Sequence, residues 1–156
     1  MIFMKVVSNK RVFVDTNILF YASNPVDEFG LLAVNKLNEL IEANNELLIS
    51  GQIIREYAVV TFRNALYHKL STKDTIGKIL ANIATFRSNF TTLHESENSL
   101  NNWVELVPKL TTSKDVFDFN IVALLKDQEI TYILTHNVRD FEKFNDWLTI
   151  VPLIHS

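Results

Sequence analysis

Four acidic residues stand where apolar sequence gives way to polar chemistry. Asp15 follows the run Val12 to Val14 and is itself followed by Thr16 and Asn17. Glu56 lies near the start of a helical pattern. Asp118 interrupts the stretch from Val116 to Leu125, which is otherwise apolar almost all round. Asp140 ends His136-Asn137-Val138-Arg139-Asp140, just after the β-rich run Thr131 to Thr135. Carboxylates brought together repel and raise one another's pKa values. A divalent cation removes that cost, and hard ions such as Mg2+ or Mn2+ prefer oxygen ligands and keep several waters. An acid cluster holding such an ion can activate water and stabilise charge on a phosphate, which is the chemistry of metal-dependent nucleases. Zinc spacing is missing: there is no cysteine, and His68, His94, His136 and His155 are scattered.

Each acid taken alone also has an ordinary account. Asp15 suits a helix cap or an Asx-turn. Glu56 suits a solvated position favoured by the helix dipole. Asp140 suits the cap of a short helix from Phe141 to Phe144. Asp118 suits the first turn of a helix capped by Ser113 or Asp115. Yet Phe117, Phe119 and Ile121 flank Asp118, and an acid so placed is partly desolvated unless something pairs with it. Asp115 has no role assigned from sequence. The case for a site therefore lies in the combination.

The elements that position these residues alternate. Val12 to Val14 reads as a strand buried on both faces, turning into a helix at Asp15. Asn24-Pro25 marks a turn. Leu31 to Asn44 reads as a helix with Leu37, Leu40 and Ile41 on one face beside Leu31 and Val34. Leu47 to Ile49 is a short strand, and Ser50 can cap a helix from about Gln52 to Lys69 whose stripe is Ile54, Ala58, Thr61, Phe62 and Ala65. Ser71 or Thr72 can cap a third helix carrying Ile76, Ile79, Leu80 and Ile83. Phe90 to His94 is a candidate strand. Leu100, Trp103, Val104 and Val107 form a further helical stripe, closed by Pro108. Thr131 to Thr135 and Leu148 to Leu153 supply the last strands. Strands alternating with helices predict a three-layer α/β/α sandwich around a parallel sheet of four or five strands. In such a sheet, ligands bind at the carboxyl ends of the strands, where the helix N-termini also converge.

The bulk properties bound the reading. A chain of 156 residues predicts a single domain, 1–156, with about 70% of its unfolded surface buried. The composition is 47% hydrophobic and 21% charged, as in folded globular proteins. A net charge of −3 does not advertise nucleic-acid binding by the molecule as a whole. The absence of cysteine suits a reducing cytoplasm. Met1-Ile2-Phe3-Met4-Lys5 does not read as a secretory leader, and no apolar run reaches membrane-spanning length.

The motifs Val12-Phe13-Val14-Asp15-Thr16-Asn17, Ile54-Arg55-Glu56, Phe117-Asp118-Phe119-Asn120-Ile121-Val122-Ala123 and Leu134-Thr135-His136-Asn137-Val138-Arg139-Asp140-Phe141, in that order, resemble the PIN-domain ribonucleases. The nearer resemblance is to the VapC toxins of bacterial type II toxin–antitoxin modules, and it covers essentially the whole chain. It implies an Mg2+-dependent endoribonuclease, with Mn2+ a plausible substitute, leaving 5′-phosphate and 3′-hydroxyl ends. Asp15 and Asp118 would be the principal metal ligands. Glu56 would be a further ligand or orient a water, and Asp140 would complete the pocket. Thr16, Asn17 and Thr135 would hold the carboxylates in place. Asn137 stands where many relatives carry another aspartate, so it joins the last motif as a departure from the pattern.

The resemblance also implies partners: an RNA substrate, a cognate antitoxin and a second copy of the chain. Arg55, Lys114 and Arg139, beside the acid motifs, are the candidate phosphate contacts. The Leu31–Ile41 helix and the helix carrying Ile54 and Tyr57 are candidates for an antitoxin groove, and the Leu100–Val107 stripe with an exposed Trp103 for a homodimer. Three alternatives stand beside the toxin: a PIN nuclease in housekeeping RNA processing, a PIN fold kept only for binding, and a receiver-like phospho-signalling domain.

Overall fold

The computed structural model describes residues 6–24 and 26–155. The expected turn residue Pro25 and the N-terminal stretch 1–5 lie outside the described residues. The chain runs β1 (Arg11–Val14), α1 (Thr16–Ala22), α2 (Gly30–Glu42), β2 (Glu46–Ser50), α3 (Gly51–Tyr67), α4 (Thr72–Asn89), β3 (Thr91–Leu93), α5 (Glu97–Leu106), α6 (Asp115–Asp127), β4 (Tyr132–Thr135) and β5 (Thr149–Pro152). All four strand pairings are parallel, in the order β3-β2-β1-β4-β5. The expected α/β architecture is the one observed, with five strands.

The strand order locates the switch point. From β1 the chain winds outward through β2 to β3, then crosses back to β4 and β5 on the other side. Right-handed crossovers then place α1 to α4 on one face of the sheet and α5 and α6 on the other. Their contacts follow this division, α1 packing on α2 and α3, α3 on α4, and α5 on α6. Winding reverses between β1 and β4, whose carboxyl ends flank the crevice where open α/β sheets bind ligands. Receiver domains use the order 2-1-3-4-5; the order here rules that alternative out.

The core explains why β1 is central. Val12, Phe13 and Val14 are wholly buried, as are Leu48, Ile49, Ile133 and Leu134 on its neighbours. Five successive residues of α6, Ile121 to Leu125, are buried. The Phe119 ring of α6 meets Phe144 edge-on at 5.5 Å, which seats the β4–β5 connection on that helix.

Several local expectations need correction. The buried stripe of α2 is Gly30, Ala33, Leu37 and Leu40, leaving Leu31 and Ile41 exposed. That of α3 is Gln52, Ile53, Tyr57, Thr61 and Ala65, with Ile54 and Ala58 only partly buried. On α4, Thr75, Ile79 and Phe86 face inward while Ile76 and Leu80 face out. In each case the buried face overlaps the expected one, keeping Leu37 and Leu40, Thr61 and Ala65, and Ile79, and is turned about the helix axis from the rest of it. Tyr57 is fully buried, its hydroxyl accepting a hydrogen bond from Asn82 Nδ2 at 2.7 Å, so it lines no open groove. Trp103 is half-buried and its indole N–H donates to Val116 O at 2.9 Å. Ser50 and Ser71 cap α3 and α4 through Ile53 N and Asp74 N. Neither Ser113 nor Asp115 caps α6; Lys114 occupies that position without a side-chain bond. The segment after β4 forms two 3-10 turns, Val138–Asp140 and Glu142–Phe144, and Asp140 caps neither.

Because β1 is enclosed by its neighbours, truncating its central ring should be felt globally. Phe13→Ala is expected to lower the unfolding free energy by about 3–5 kcal/mol. Urea denaturation reads this directly, and a loss below about 1 kcal/mol would remove Phe13 from the core.

Candidate active site

Asp15 stands at the switch point, immediately beyond β1. Its extended backbone, φ −73° and ψ 156°, makes it the N-cap of α1. Burial is nearly complete, with 8% of the residue exposed. An acid so enclosed needs donors, and three residues supply them. Thr16 N donates to Oδ1 at 2.8 Å, while Thr135 Oγ1 at 2.7 Å and Asn17 Nδ2 at 3.2 Å donate to Oδ2. Desolvation raises the Asp15 pKa, and the bonds from Thr135 and Thr16 oppose that rise. The cap and the candidate ligand are thus the same side chain.

Thr135 and Asn17 join the two strands that border the crevice. Thr135 is wholly buried and accepts from Asn137 N at 3.0 Å as well as donating to Asp15. Asn17 Oδ1 accepts from His136 N at 3.1 Å. Asn137 participates through its backbone N–H, with its side chain exposed at the mouth of the site.

Glu56, in the second turn of α3, is fixed at both oxygens. Thr16 Oγ1 donates to Oε2 at 2.8 Å and Gln52 Nε2 to Oε1 at 2.6 Å. Gln52 also donates to Phe117 O at 3.0 Å and accepts from Asn120 Nδ2 at 2.7 Å. Asn120 reaches Glu95 Oε1 at 2.6 Å. These three residues, Gln52, Asn120 and Glu95, had no role from sequence. Signals for them exist: Gln52 precedes Glu56 by one helical turn, Asn120 is polar in an apolar helix, and Glu95 follows a strand as Asp15 does.

Asp118 opens α6 with its side chain 14% exposed. Its carboxyl is pushed up to about 7, first by desolvation and then by the charges of Asp140, Asp15 and Glu56, against the pull of Lys114. The four acids named from the sequence therefore converge on one carboxyl edge. Lys114 sits among them: its Nζ lies 3.7 Å from Asp118 Oδ2 and donates to Asp140 Oδ2. Burial works against the Lys114 ammonium, but the bond to Asp140 and the charges of Asp118, Asp140 and Asp15 outweigh it and raise its pKa. Lys114 is thus an acid-site residue, beyond the phosphate contact expected of it.

Among the described residues, no three carboxylate or imidazole groups stand close enough together to hold a metal ion as they are arranged. The donor set nevertheless suits Mg2+. All donors are hard oxygens, and Mg2+ is commonly held by one or two carboxylates, completing its shell with water and substrate phosphate.

A cleft of about 710 Å3 opens from this edge, lined by Lys114, His136, Asn137, Arg139 and Asp140 with apolar residues of β5 and beyond. Arg139 is exposed along it. Arg55 is exposed on α3 beside its own helix start, close to Gly51, and no hydrogen bond or ion pair ties it to the acids among the described residues. Asp115, without a role from sequence, closes the turn before α6. Its Oδ2 accepts from Thr111 N and Thr111 Oγ1, both at 2.8 Å, and from Thr112 N at 3.2 Å. Those bonds, led by that from the Thr111 backbone, pull its pKa down to about 2.

The same arrangement of strands and helices occurs in solved toxin–antitoxin structures. The chain matches a structure of VapBC2 from Rickettsia felis, bound to a promoter DNA fragment, with a TM-score of 0.64 and 20% identity over 90% of this chain and 97% of that one. It matches VapC20 of Mycobacterium tuberculosis, a toxin that cleaves the sarcin-ricin loop, with a TM-score of 0.58 and 15% identity over 78% and 86%. FitAcB from Neisseria gonorrhoeae matches with a TM-score of 0.57 and 16% identity over 93% and 99%. The fold is that of the VapC-type PIN domains. No family model matches the sequence, and no curated protein does. The resemblance read from the four motifs therefore holds for the PIN fold.

The raised Asp118 pKa has a stability consequence. The folded state keeps the Asp118 proton up to about pH 7, whereas an unfolded aspartate releases it near its ordinary value of 3.8. Stability from this group is complete below the lower value and is lost as pH rises toward 7. In EDTA, Asp118→Asn should therefore gain stability over wild type between pH 4 and 8, by about 1–3 kcal/mol. Thermal melts across that range read the difference, and a gap that narrows with rising pH would contradict the assignment.

Proposed function

We propose that this protein is a cytoplasmic, Mg2+-dependent endoribonuclease that serves as the toxin of a toxin–antitoxin module. The observation carrying this reading is the buried, triply hydrogen-bonded carboxylate of Asp15 at the switch point of a PIN fold, electrostatically coupled to Asp118 and Glu56. Asp15 and Asp118 would hold the metal ion, with Mn2+ able to replace Mg2+. When bound, such an ion supplies Lewis-acid activation of water and neutralises charge developing on the phosphate.

The chain's own side chains do the positioning. Thr135, Asn17 and Thr16 fix the Asp15 oxygens, so little reorganisation is needed when a cation arrives. Glu56, clamped between Thr16 and Gln52, is set to orient a water for attack on phosphorus. Asp140 completes the acidic rim. Arg139, along the cleft, offers a phosphate contact for an RNA strand; Arg55 is the weaker candidate. As the PIN resemblance implies, cleavage would leave 5′-phosphate and 3′-hydroxyl ends.

The toxin role brings two protein partners into the proposal. Leu31, Leu32 and Ile41 expose apolar surface on α2 for an antitoxin segment. Leu100 and Val104 do so on α5 for a second copy of the chain. No helix among the described residues is long and apolar enough to cross a membrane. A housekeeping role in RNA processing would use the same chemistry without the antitoxin.

Purified protein should cleave RNA with Mg2+ and cease in EDTA. Asp15→Asn should lose at least about 100-fold of that activity, the upper end of what removing an outer hydrogen-bond partner costs a metal site. Cleavage that persists undiminished in EDTA or in Asp15→Asn would overturn the reading.

A further inference from the structure

Lys114 holds a place that its surface exposure does not explain. Its Nζ lies 3.7 Å from Asp118 Oδ2 and donates to Asp140 Oδ2, joining acids from two separate elements. Two features keep it there. Residues four apart on a helix share a face, and the Lys114 carbonyl accepts from Phe117 N at 3.1 Å and Asp118 N at 3.3 Å to start α6. The preceding turn is closed by Asp115, which takes three hydrogen bonds from Thr111 and Thr112 and pairs with Lys143 at 3.6 Å. The side chain is 57% exposed, yet its backbone anchor is fixed on both sides. The oxygen that faces Lys114, Asp118 Oδ2, belongs to a carboxylate that would have to turn to a metal ion. An ammonium and a divalent cation cannot share that oxygen without strong repulsion.

We propose that Lys114 is a built-in counter-ion of the acid site, which pairs with Asp118 and Asp140 in the metal-free protein and gives up Asp118 when a divalent cation binds. Asp115 is its positioning residue, through the turn before α6. The inference rests on the metal-dependent reading above. It fits acids that converge without forming, among the described residues, a ready three-carboxylate site.

The test is Mn2+ binding to the full chain, with free Mn2+ followed by electron paramagnetic resonance. Lys114→Met should bind Mn2+ more tightly than wild type by at least about fivefold, the effect of one unit charge near 4 Å even under full water screening. Lys114→Gln, also uncharged, gives a second reading with the same expected direction. Lys114→Arg keeps the charge and should stay within about twofold of wild type. Equal or weaker binding by both uncharged variants, each folded by circular dichroism, overturns the proposal and leaves the metal-dependent reading standing. If neither wild type nor the uncharged variants bind Mn2+, both fall together.

Discussion

The arrangement of the whole sheet edge depends on accommodating one buried carboxylate. Asp15 is enclosed because β1 lies at the centre of the sheet, between the helices of its two faces. Enclosure without partners would cost several kcal/mol or force the group to stay protonated. The donors that prevent this come from both sides of the crevice, Thr16 and Asn17 after β1 and Thr135 at the end of β4. Satisfying Asp15 therefore also locks β4 to α1, and Asn17 extends the lock to the His136 backbone. The polar network that presents the acid is the one that holds the switch point together.

Around that fixed point the structure manages an excess of negative charge. Asp118 shows its size, since burial and three neighbouring acids drive its carboxyl to about 7. Each remaining acid is met by a different device. Glu56 is clamped by a hydroxyl and an amide, and Asp140 takes a lysine. Asp115, three residues before Asp118, is turned away to brace a loop. An acid pair in a short stretch thus divides into one group whose pKa hydrogen bonds lower and one whose pKa burial raises.

The apolar surface tells a similar story of context. Helices α2 and α4 each carry two apolar flanks, and only one can meet the layer beneath. The flank left outside keeps apolar side chains exposed, as at Leu31, Ile41, Ile76 and Leu80. Helical periodicity was the right signal for the elements and a poor one for their orientation, because a one-residue shift turns a helix by about 100°.

Local pattern by itself determined the alternation of strands and helices, the buried character of β1 and α6, two serine caps and the four acids. These are properties of short windows: period, β-branching and capping chemistry act over a few residues. Tertiary structure alone decided that the acids share one edge, because strand order brings residues 15, 56, 118 and 140 together across more than 100 positions of chain. It also decided the use of Lys114, the clamp from Gln52 through Asn120 to Glu95, the burial of Tyr57 and the half-burial of Trp103. Those depend on which surfaces meet after the crossovers close. A carboxylate's partner across a sheet edge leaves no periodic trace in the sequence around either residue.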